Sequence, residues 1–463
     1  MPLERRHGLF VSICFVVGFI VGTGIFFLPG RILYEVGGDV FLGAAAWVVG
    51  GLMIAPVVLM FGLLASRFEK IHGFVDYCEA VAGRRYGYLA GWFFAVMYQP
   101  AGYAMIAWIT SGFVAALLGM PENGGEHLAF RFFAAAFFMA GAFMMNYFAP
   151  SVPVRFNVAT TLARLVPLAL MGAAGLFFVG GGAAGGGDWA AASGGGGASL
   201  FAAVSATAFA FNGWQAALAF NSEILDSKRK FPVALLAGFG LVAVLYVLYF
   251  VGVAAAVGDG AGAMMQGGGA GFAEGTRIAF ANVFGPWAAR VLVFFMVVSG
   301  LGILNACCLG MGRAMYALGM RGQGPLRART ALLDSDTNVP NHSMVMALGI
   351  SFLWYALIYA NTVHFRGFAF SLPDFYNFGF FMLLVPLFVC CAARPGRAGA
   401  RGFFGRFALP ALAAFGAGFM FVSYWLGSPA HAAAYLAAFA ALALVGMLFY
   451  KKRAGGDGAR PAA

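Results

Sequence analysis

The chain is poor in charge. Of its 463 residues only 10% are Asp, Glu, Lys or Arg, against about 25% in an ordinary soluble chain. That excludes a soluble globular protein, whose surface needs more charge to stay in water. Acidic residues are scarcer than basic ones, 17 Asp and Glu against 28 Lys and Arg. Histidine is scarce as well. His7, His72, His127, His342, His364 and His431 lie in loops or near the ends of apolar runs and share no metal-ligand spacing. A membrane-embedded enzyme would need His or Asp clustered at membrane depth, so no catalytic residue, metal or cofactor is expected. The six cysteines, Cys14, Cys78, Cys307, Cys308, Cys390 and Cys391, form no C-x-x-C pair and fall mostly in apolar runs, where cysteine packs as a small hydrophobe. Pro2–Gly8 is too short and lacks a cleavage site after a short apolar core, so no removable signal peptide is expected.

What remains is 62% hydrophobic and falls into about twelve runs long enough to span a bilayer: 9–33, 40–65, 89–119, 129–149, 156–179, 199–220, 233–257, 283–318, 343–360, 369–392, 407–427 and 432–450. The net charge of +11 sits in short loops, where it orients a membrane protein and does not call for nucleic acid. Arg5, Arg6, Arg67, Lys70, Arg84, Arg85, Arg155, Lys228, Arg229, Lys230, Arg321, Arg327, Arg329, Arg394, Arg397, Arg401, Arg406, Lys451, Lys452 and Arg453 all fall on one side. The other side holds only Arg31, Arg131, Arg277 and Arg366, with Arg290 near a helix end. An even count of spans and this asymmetry predict both termini in the cytoplasm and a multi-pass protein of the cytoplasmic membrane. Between spans 2 and 3, residues 76–86 have the mixed character of a short interfacial helix or of a solvated connector. Residues 181–198 read as a Gly-rich outer linker.

Two of the runs carry breaks. The first contains Gly22-Thr23-Gly24-Ile25 near its middle, and the sixth contains Phe209-Ala210-Phe211-Asn212-Gly213-Trp214. Asn-Gly is a turn dipeptide, and paired glycines weaken a helix. Either break alone also fits close helix packing. Together they open two blocks of five spans, which an odd number forces into opposite orientations: interrupted helices at corresponding positions of inverted halves point to a transporter site. A break in lipid frees backbone groups that only protein, water or a ligand can satisfy. Free N–H groups near Thr23, Gly24 and Ile25 suit a carboxylate, and carbonyls near Phe209, Ala210 and Asn212 suit an ammonium group. A zwitterionic α-amino acid brings both. The absence of Asp and Glu from the span interiors near the breaks favours neutral side chains over cationic ones.

These motifs, with Glu223 after the second break, Gly91-Trp92, and Ala306 followed by Arg313, Tyr316 and Ala317, resemble the amino acid–polyamine–organocation permease superfamily, within it the bacterial serine/threonine exchangers and L-type amino acid transporters. The resemblance covers nearly the whole chain. It implies an all-α membrane protein of LeuT type: a first inverted repeat over 1–180, the linker 181–198, a second repeat over 199–392, two further helices over 393–450 and a cytoplasmic tail over 451–463. With the neutral lining near the breaks and Arg164 in the place of a sodium ion, the expectation is a sodium-independent secondary transporter of neutral L-amino acids working by alternating access, as exchanger or facilitator; an amino-acid-sensing receptor subunit on the same scaffold is the alternative. The resemblance makes Phe209 a gate over the substrate and Trp214 a pocket wall. The chain departs from the family at Asn212, where relatives carry an acidic residue or glycine, at Asp226-Ser227-Lys228, where many read near Asn-Pro, and at Arg164-Leu165-Val166-Pro167, where many carry a lysine.

Arg164 lies about 12 Å into its helix at 1.5 Å per residue. It is expected either to snorkel or to stand as a fixed cation against the first break, in the place of a sodium ion. Glu223 is placed at the inner end of span 6, as an inner gate or an interfacial ion pair. Tyr98 and Tyr103 in span 3, Asn305 in span 8, and Tyr376 and Asn377 in span 10 are further candidates, each also compatible with plain helix–helix hydrogen bonding.

Overall fold

A computed structural model describes residues 8–68, 73–121, 125–149, 152–180, 199–218, 224–257, 269–334, 339–364, 371–394 and 402–451. Among the described residues ten helices are long and apolar enough to cross a membrane, and a bent pair taken as one span makes an eleventh. The bent pair is α1 (Leu9–Ile20) and α2 (Gly24–Glu35), which meet at 51°. Then come α3 (Val40–Arg67), the short α4 (Phe74–Ala82), α5 (Arg84–Leu117, with one π turn at Phe94–Tyr98), α6 (Gly125–Phe148) and α7 (Val152–Gly180). The interrupted sixth span is α8 (Leu200–Phe211) followed by α9 (Trp214–Ala217). The remainder is α10 (Ser227–Val257), α11 (Gly269–Phe284), α12 (Pro286–Met320), the single turn α13 (Arg327–Thr330), α14 (Asn341–Val363), α15 (Leu372–Ala393), α16 (Phe404–Gly427) and α17 (Pro429–Leu448).

Several starts follow from local chemistry. Asp39, Ser199 and Ser371 cap α3, α8 and α15 by accepting the backbone N–H groups of Leu42, Ala202 and Asp374, donors with no partner in the first turn of a helix. Two features differ from the expectation. The interfacial helix runs over Phe74–Ala82, ending at Gly83, whose φ of 93° only glycine adopts readily. Helix α11 was not anticipated: Gly269, Gly271, Glu274 and Arg277 dilute its apolar content, and it packs between α2, α10 and α12. The proposed linker 181–198 and Glu223 lie outside the described residues.

Helix α10 packs on α1, α3 and α7, and α12 packs on α5 and α7. Membrane helices gain little from apolar contact with one another and associate through close approach of small residues. Here threonines seat on facing glycines: Thr161 on Gly18, Thr207 on Gly50, Thr110 on Gly300 and Thr160 on Gly302. The outer surface is apolar, with Phe41 and Phe133 each 79% exposed, as lipid contact requires. On the face bearing the cation-rich loops, Arg321 at the end of α12 pairs with Asp76 and, at 3.1 Å, with Glu79, tying α4 to α12.

Candidate functional site

The two interruptions meet. The α1–α2 break exposes Val21, Gly22 and Thr23, and the α8–α9 break exposes Asn212 and Gly213. Gly213 has a φ of 108°, and a Cβ there would strike the Phe19 carbonyl. The crossing of the two broken spans therefore requires glycine. A Cβ on Gly24 would lie 2.7 Å from the Phe209 ring, so the second break leans on the first.

Around them lies a cavity enclosing about 770 Å3 of empty space, its mouth included. Gly22, Thr23, Gly24, Phe209, Ala210, Asn212 and Gly213 line it, with Tyr98 and Tyr376. The first N–H groups of α2 have no acceptor in their own helix, and Thr23 makes no side-chain cap. The Thr23 hydroxyl is buried without a hydrogen-bond partner among the described residues. Opposite, the last carbonyls of α8 reach the end of their helix at Phe211. The cavity thus presents partial positive charge at one wall and partial negative charge at the other.

Protein donors hold the freed carbonyls behind the cavity. Arg164, fully buried, donates to the Val21 carbonyl at 2.6 Å and to the Thr161 hydroxyl at 2.6 Å, with Asn157 Oδ1 at 3.4 Å. It does not snorkel. Tyr246 of α10 points its hydroxyl at two carbonyls at once, Ile20 at 3.2 Å and Ala210 at 3.3 Å. One side chain thereby spans the ends of both half-helices.

A second polar chain crosses the breaks. Gln215 Nε2 donates to the Tyr98 hydroxyl at 2.7 Å and to Asn212 Oδ1 at 2.9 Å, while its Oε1 accepts the Gly213 N–H at 2.8 Å. Asn212 in turn donates to Asn377 Oδ1, so Asn377 stands behind the cavity wall.

Other expected residues fall elsewhere. Tyr103 turns away and donates to the Met139 carbonyl. Asn305 is fully buried between Asn146 Nδ2, at 2.7 Å, and the Pro153 carbonyl, at 2.9 Å, and acts as a helix clamp. Trp214 does not line the cavity; its ring packs 5.2 Å from Phe61 and 6.0 Å from Phe380. The Ile25 side chain is buried away from the cavity. The structure adds residues that were not anticipated: Phe19, Gln99, Gly102, Ile106, Gln215, Ile303 and Cys307 on the cavity wall, and Tyr246 behind it. Gln215, a polar residue two positions beyond Asn-Gly, had a readable signal. Tyr246, a tyrosine in an apolar helix, had none.

Toward the face opposite the cation-rich loops the cavity is covered. Phe209 lies 5.8 Å from Phe27 and 6.3 Å from Tyr376. Beyond this aromatic layer Arg31 of α2 grips Asp374 of α15 through two bonds, at 3.0 and 3.3 Å.

Comparison with known proteins agrees with this picture. A family model described as amino acid permease matches residues 8–449. The serine/threonine exchanger SteT of Bacillus subtilis (strain 168) is 24% identical over 338 residues, 73% of each chain. The b(0,+)-type amino acid transporter 1 of Mus musculus is 26% identical over 326 residues, 69% of this chain and 64% of that one. Among solved structures, MhsT in complex with L-phenylalanine aligns with a TM-score of 0.58 and 15% identity over 92% of this chain and 99% of the other. The fold is the LeuT type that the sequence led us to expect.

Proposed function

The chain belongs to the amino acid permease family, and from that membership we propose that it carries neutral L-amino acids across the cytoplasmic membrane by alternating access, without sodium, as an exchanger or facilitator. The observation that carries this reading is the convergence of both helix breaks on one cavity. The substrate carboxylate lies against the N–H groups at Thr23, Gly24 and Ile25, and its ammonium group against the Phe209 carbonyl and the second lone pair of the Ala210 carbonyl, whose other lone pair accepts from Tyr246, with Asn212 at the side.

Selectivity follows from the lining. Among the described residues no Asp or Glu lines the cavity, and a cationic side chain brought there would lack a partner. Ile106, Ile303, Ala306 and Cys307 offer an apolar wall to a neutral side chain. The exchanger assignment is supported by SteT, whose name describes a serine/threonine exchanger. Sodium independence is supported by Arg164 and Tyr246. Between them they occupy the carbonyls of Ile20, Val21 and Ala210, oxygens of the type that would coordinate an alkali ion. The one-sided cations support an orientation with both termini in the cytoplasm.

The test is uptake by purified protein in liposomes, with each of the twenty standard amino acids as competitor. Neutral amino acids are expected to compete, arginine and lysine to compete poorly, and replacement of sodium by choline to leave the rate within about twofold. Competition by arginine equal to that of neutral substrates would overturn the selectivity, and a sodium requirement would overturn the coupling.

A further inference from the structure

A second cavity, enclosing about 720 Å3 of empty space with its mouth included, adjoins the first on the face of the cation-rich loops, walled by Phe74, Val75 and Leu309 among others. The two cavities share five residues, Phe19, Gln99, Gln215, Ala216 and Ala306, which form the neck between them. Two of the five, Gln99 and Gln215, carry long polar side chains. The Gln99 amide rests against Gly310 of α12, where a Cβ would come within 2.8 Å.

Gln215 is held differently. It belongs to α9, the half-helix after the break, and its amide reaches from the neck to the Tyr98 hydroxyl of α5, on the wall of the first cavity, at 2.7 Å. Its other bonds, to Asn212 and to the Gly213 N–H, fix it to its own broken span. It is 6% exposed, although both cavities reach it. With the opposite side covered by Phe209 and by the Arg31–Asp374 pair, the neck joins the first cavity to the second, on the side of the cation-rich loops.

Resting on the alternating-access reading, we propose that Gln215 is an inner latch: its hydrogen bond to Tyr98 closes the neck, and passage between the two cavities requires that bond to break. A hydrogen bond suits the task because its net strength is small. It can be exchanged for bonds to water or to the substrate as the broken span moves, where an apolar plug would need room to withdraw. Gln215 is on this account a positioning residue that moves with α9, while Tyr98 is the fixed half.

Cys307 supplies a native reporter, since its side chain lines the first cavity and not the second. In inside-out vesicles, a charged, membrane-impermeant maleimide added outside must cross the neck to reach it. Modification is read peptide by peptide by mass spectrometry. Cys14, which lines a separate cleft between α1 and α7, is the internal reference. The expected result is alkylation of Cys307 faster by about fivefold, the factor a single net hydrogen bond carries, in Gln215→Ala and in Tyr98→Phe, with Cys14 unchanged. Gln215→Met fills the neck without the donor; acceleration there too assigns the effect to the bond and not to bulk. Unchanged Cys307 rates in Tyr98→Phe and Gln215→Met, with the proteins monodisperse, would overturn the latch. The measurement needs no transport. Acceleration without protection by any amino acid would leave the latch standing and count against the proposed substrate.

Discussion

The guanidinium of Arg164 lies 2.6 Å from the carbonyl oxygen of Val21, the residue that follows the last turn of α1. A buried cation is costly unless it is paired or fully hydrogen-bonded. Here it is held by a carbonyl, a hydroxyl and an amide oxygen instead of a carboxylate. The break in the first span and the charge in α7 therefore explain each other: the break frees an acceptor that the charge needs. Arginine does not give up its proton under ordinary conditions, so the residue serves as a permanent support and not as a proton carrier. Arg164→Ala leaves the Val21 carbonyl without its charged donor. Losing two charge-assisted bonds costs roughly 3 kcal/mol or more, and initial uptake in liposomes is expected to fall by about a hundredfold. Arg164→Lys keeps the charge with a different reach and is expected to retain measurable uptake. Equal rates for Arg164→Ala and the parent would remove the residue from the mechanism.

Tyr246 gives a second expectation. Phenylalanine there preserves ring contacts with Trp47, at 5.4 Å, and Phe211, at 5.4 Å, but leaves the Ile20 and Ala210 carbonyls without their shared donor. Tyr246→Phe is expected to lower the thermal midpoint only slightly, by what one hydrogen bond of about 1 kcal/mol confers. Uptake should fall more steeply, because both half-helix ends lose their common anchor. A parallel decline in stability and uptake would reduce Tyr246 to a packing residue.

Glycine chemistry separates the two breaks. Gly213→Ala meets both a positive φ and the Phe19 carbonyl, so it is expected to destabilise the purified protein, by roughly 1–3 kcal/mol for the strained backbone alone. At Gly24 the backbone is helical and the obstacle is the edge of the Phe209 ring, which can move. Gly24→Ala is therefore expected to fold and to lose substrate affinity, read as a raised KM in uptake. A Gly213→Ala protein as stable as the parent would contradict the crossing described above.

How much of this was legible in the sequence depends on whether a residue's partner is local. Gly22–Gly24 and Asn212–Gly213 disclose the breaks because their effect is on their own backbone. The partners of Tyr246 are carbonyls of two other helices, and nothing in an apolar run distinguishes such a tyrosine from one that packs. Tyr98 and Tyr103 are five residues apart on α5, about 140° around a helix at 3.6 residues per turn. One cavity cannot take both, yet only the packing of α5 against α6 and α12 decides which is chosen. Asn305 lost its place to its neighbours Ala306 and Cys307 for the same reason. Trp214 follows the break directly, but α9 turns its ring away from the cavity into the core against Phe61.

The two tyrosines give a contrast that can be measured. Tyr103→Phe removes a bond to the Met139 carbonyl remote from the cavity; it is expected to shift thermal stability by about 1 kcal/mol and to leave KM unchanged. Tyr98→Phe removes the acceptor for Gln215 at the cavity wall and is expected to change KM with little loss of stability. The reverse pattern would exchange their roles.

Closure on the face away from the cation-rich loops rests on two layers that can be tested separately. The aromatic layer of Phe27, Phe209 and Tyr376 lies directly over the cavity, while the Arg31–Asp374 pair joins α2 to α15 farther out. Both partners are partly exposed, 22% and 13% by side chain, so the pair is worth less than a fully buried one but more than a free surface pair. Its two bonds give it a defined geometry. In alternating access a contact of this kind forms in one state and is absent in the other, so weakening it should shift the population of states and not the intrinsic fit of substrate. Arg31→Gln and Asp374→Asn are each expected to slow exchange several-fold. The charge-reversed pair Arg31→Asp with Asp374→Arg is expected to recover part of the rate, and high salt should slow the parent but not the single variants. Phe209→Ala acts on the other layer and should weaken substrate retention whether or not the ion pair is present. Additive losses in the double variants would show the two layers to be independent. A charge reversal no better than either single variant would mean that the ion pair has no part in closure.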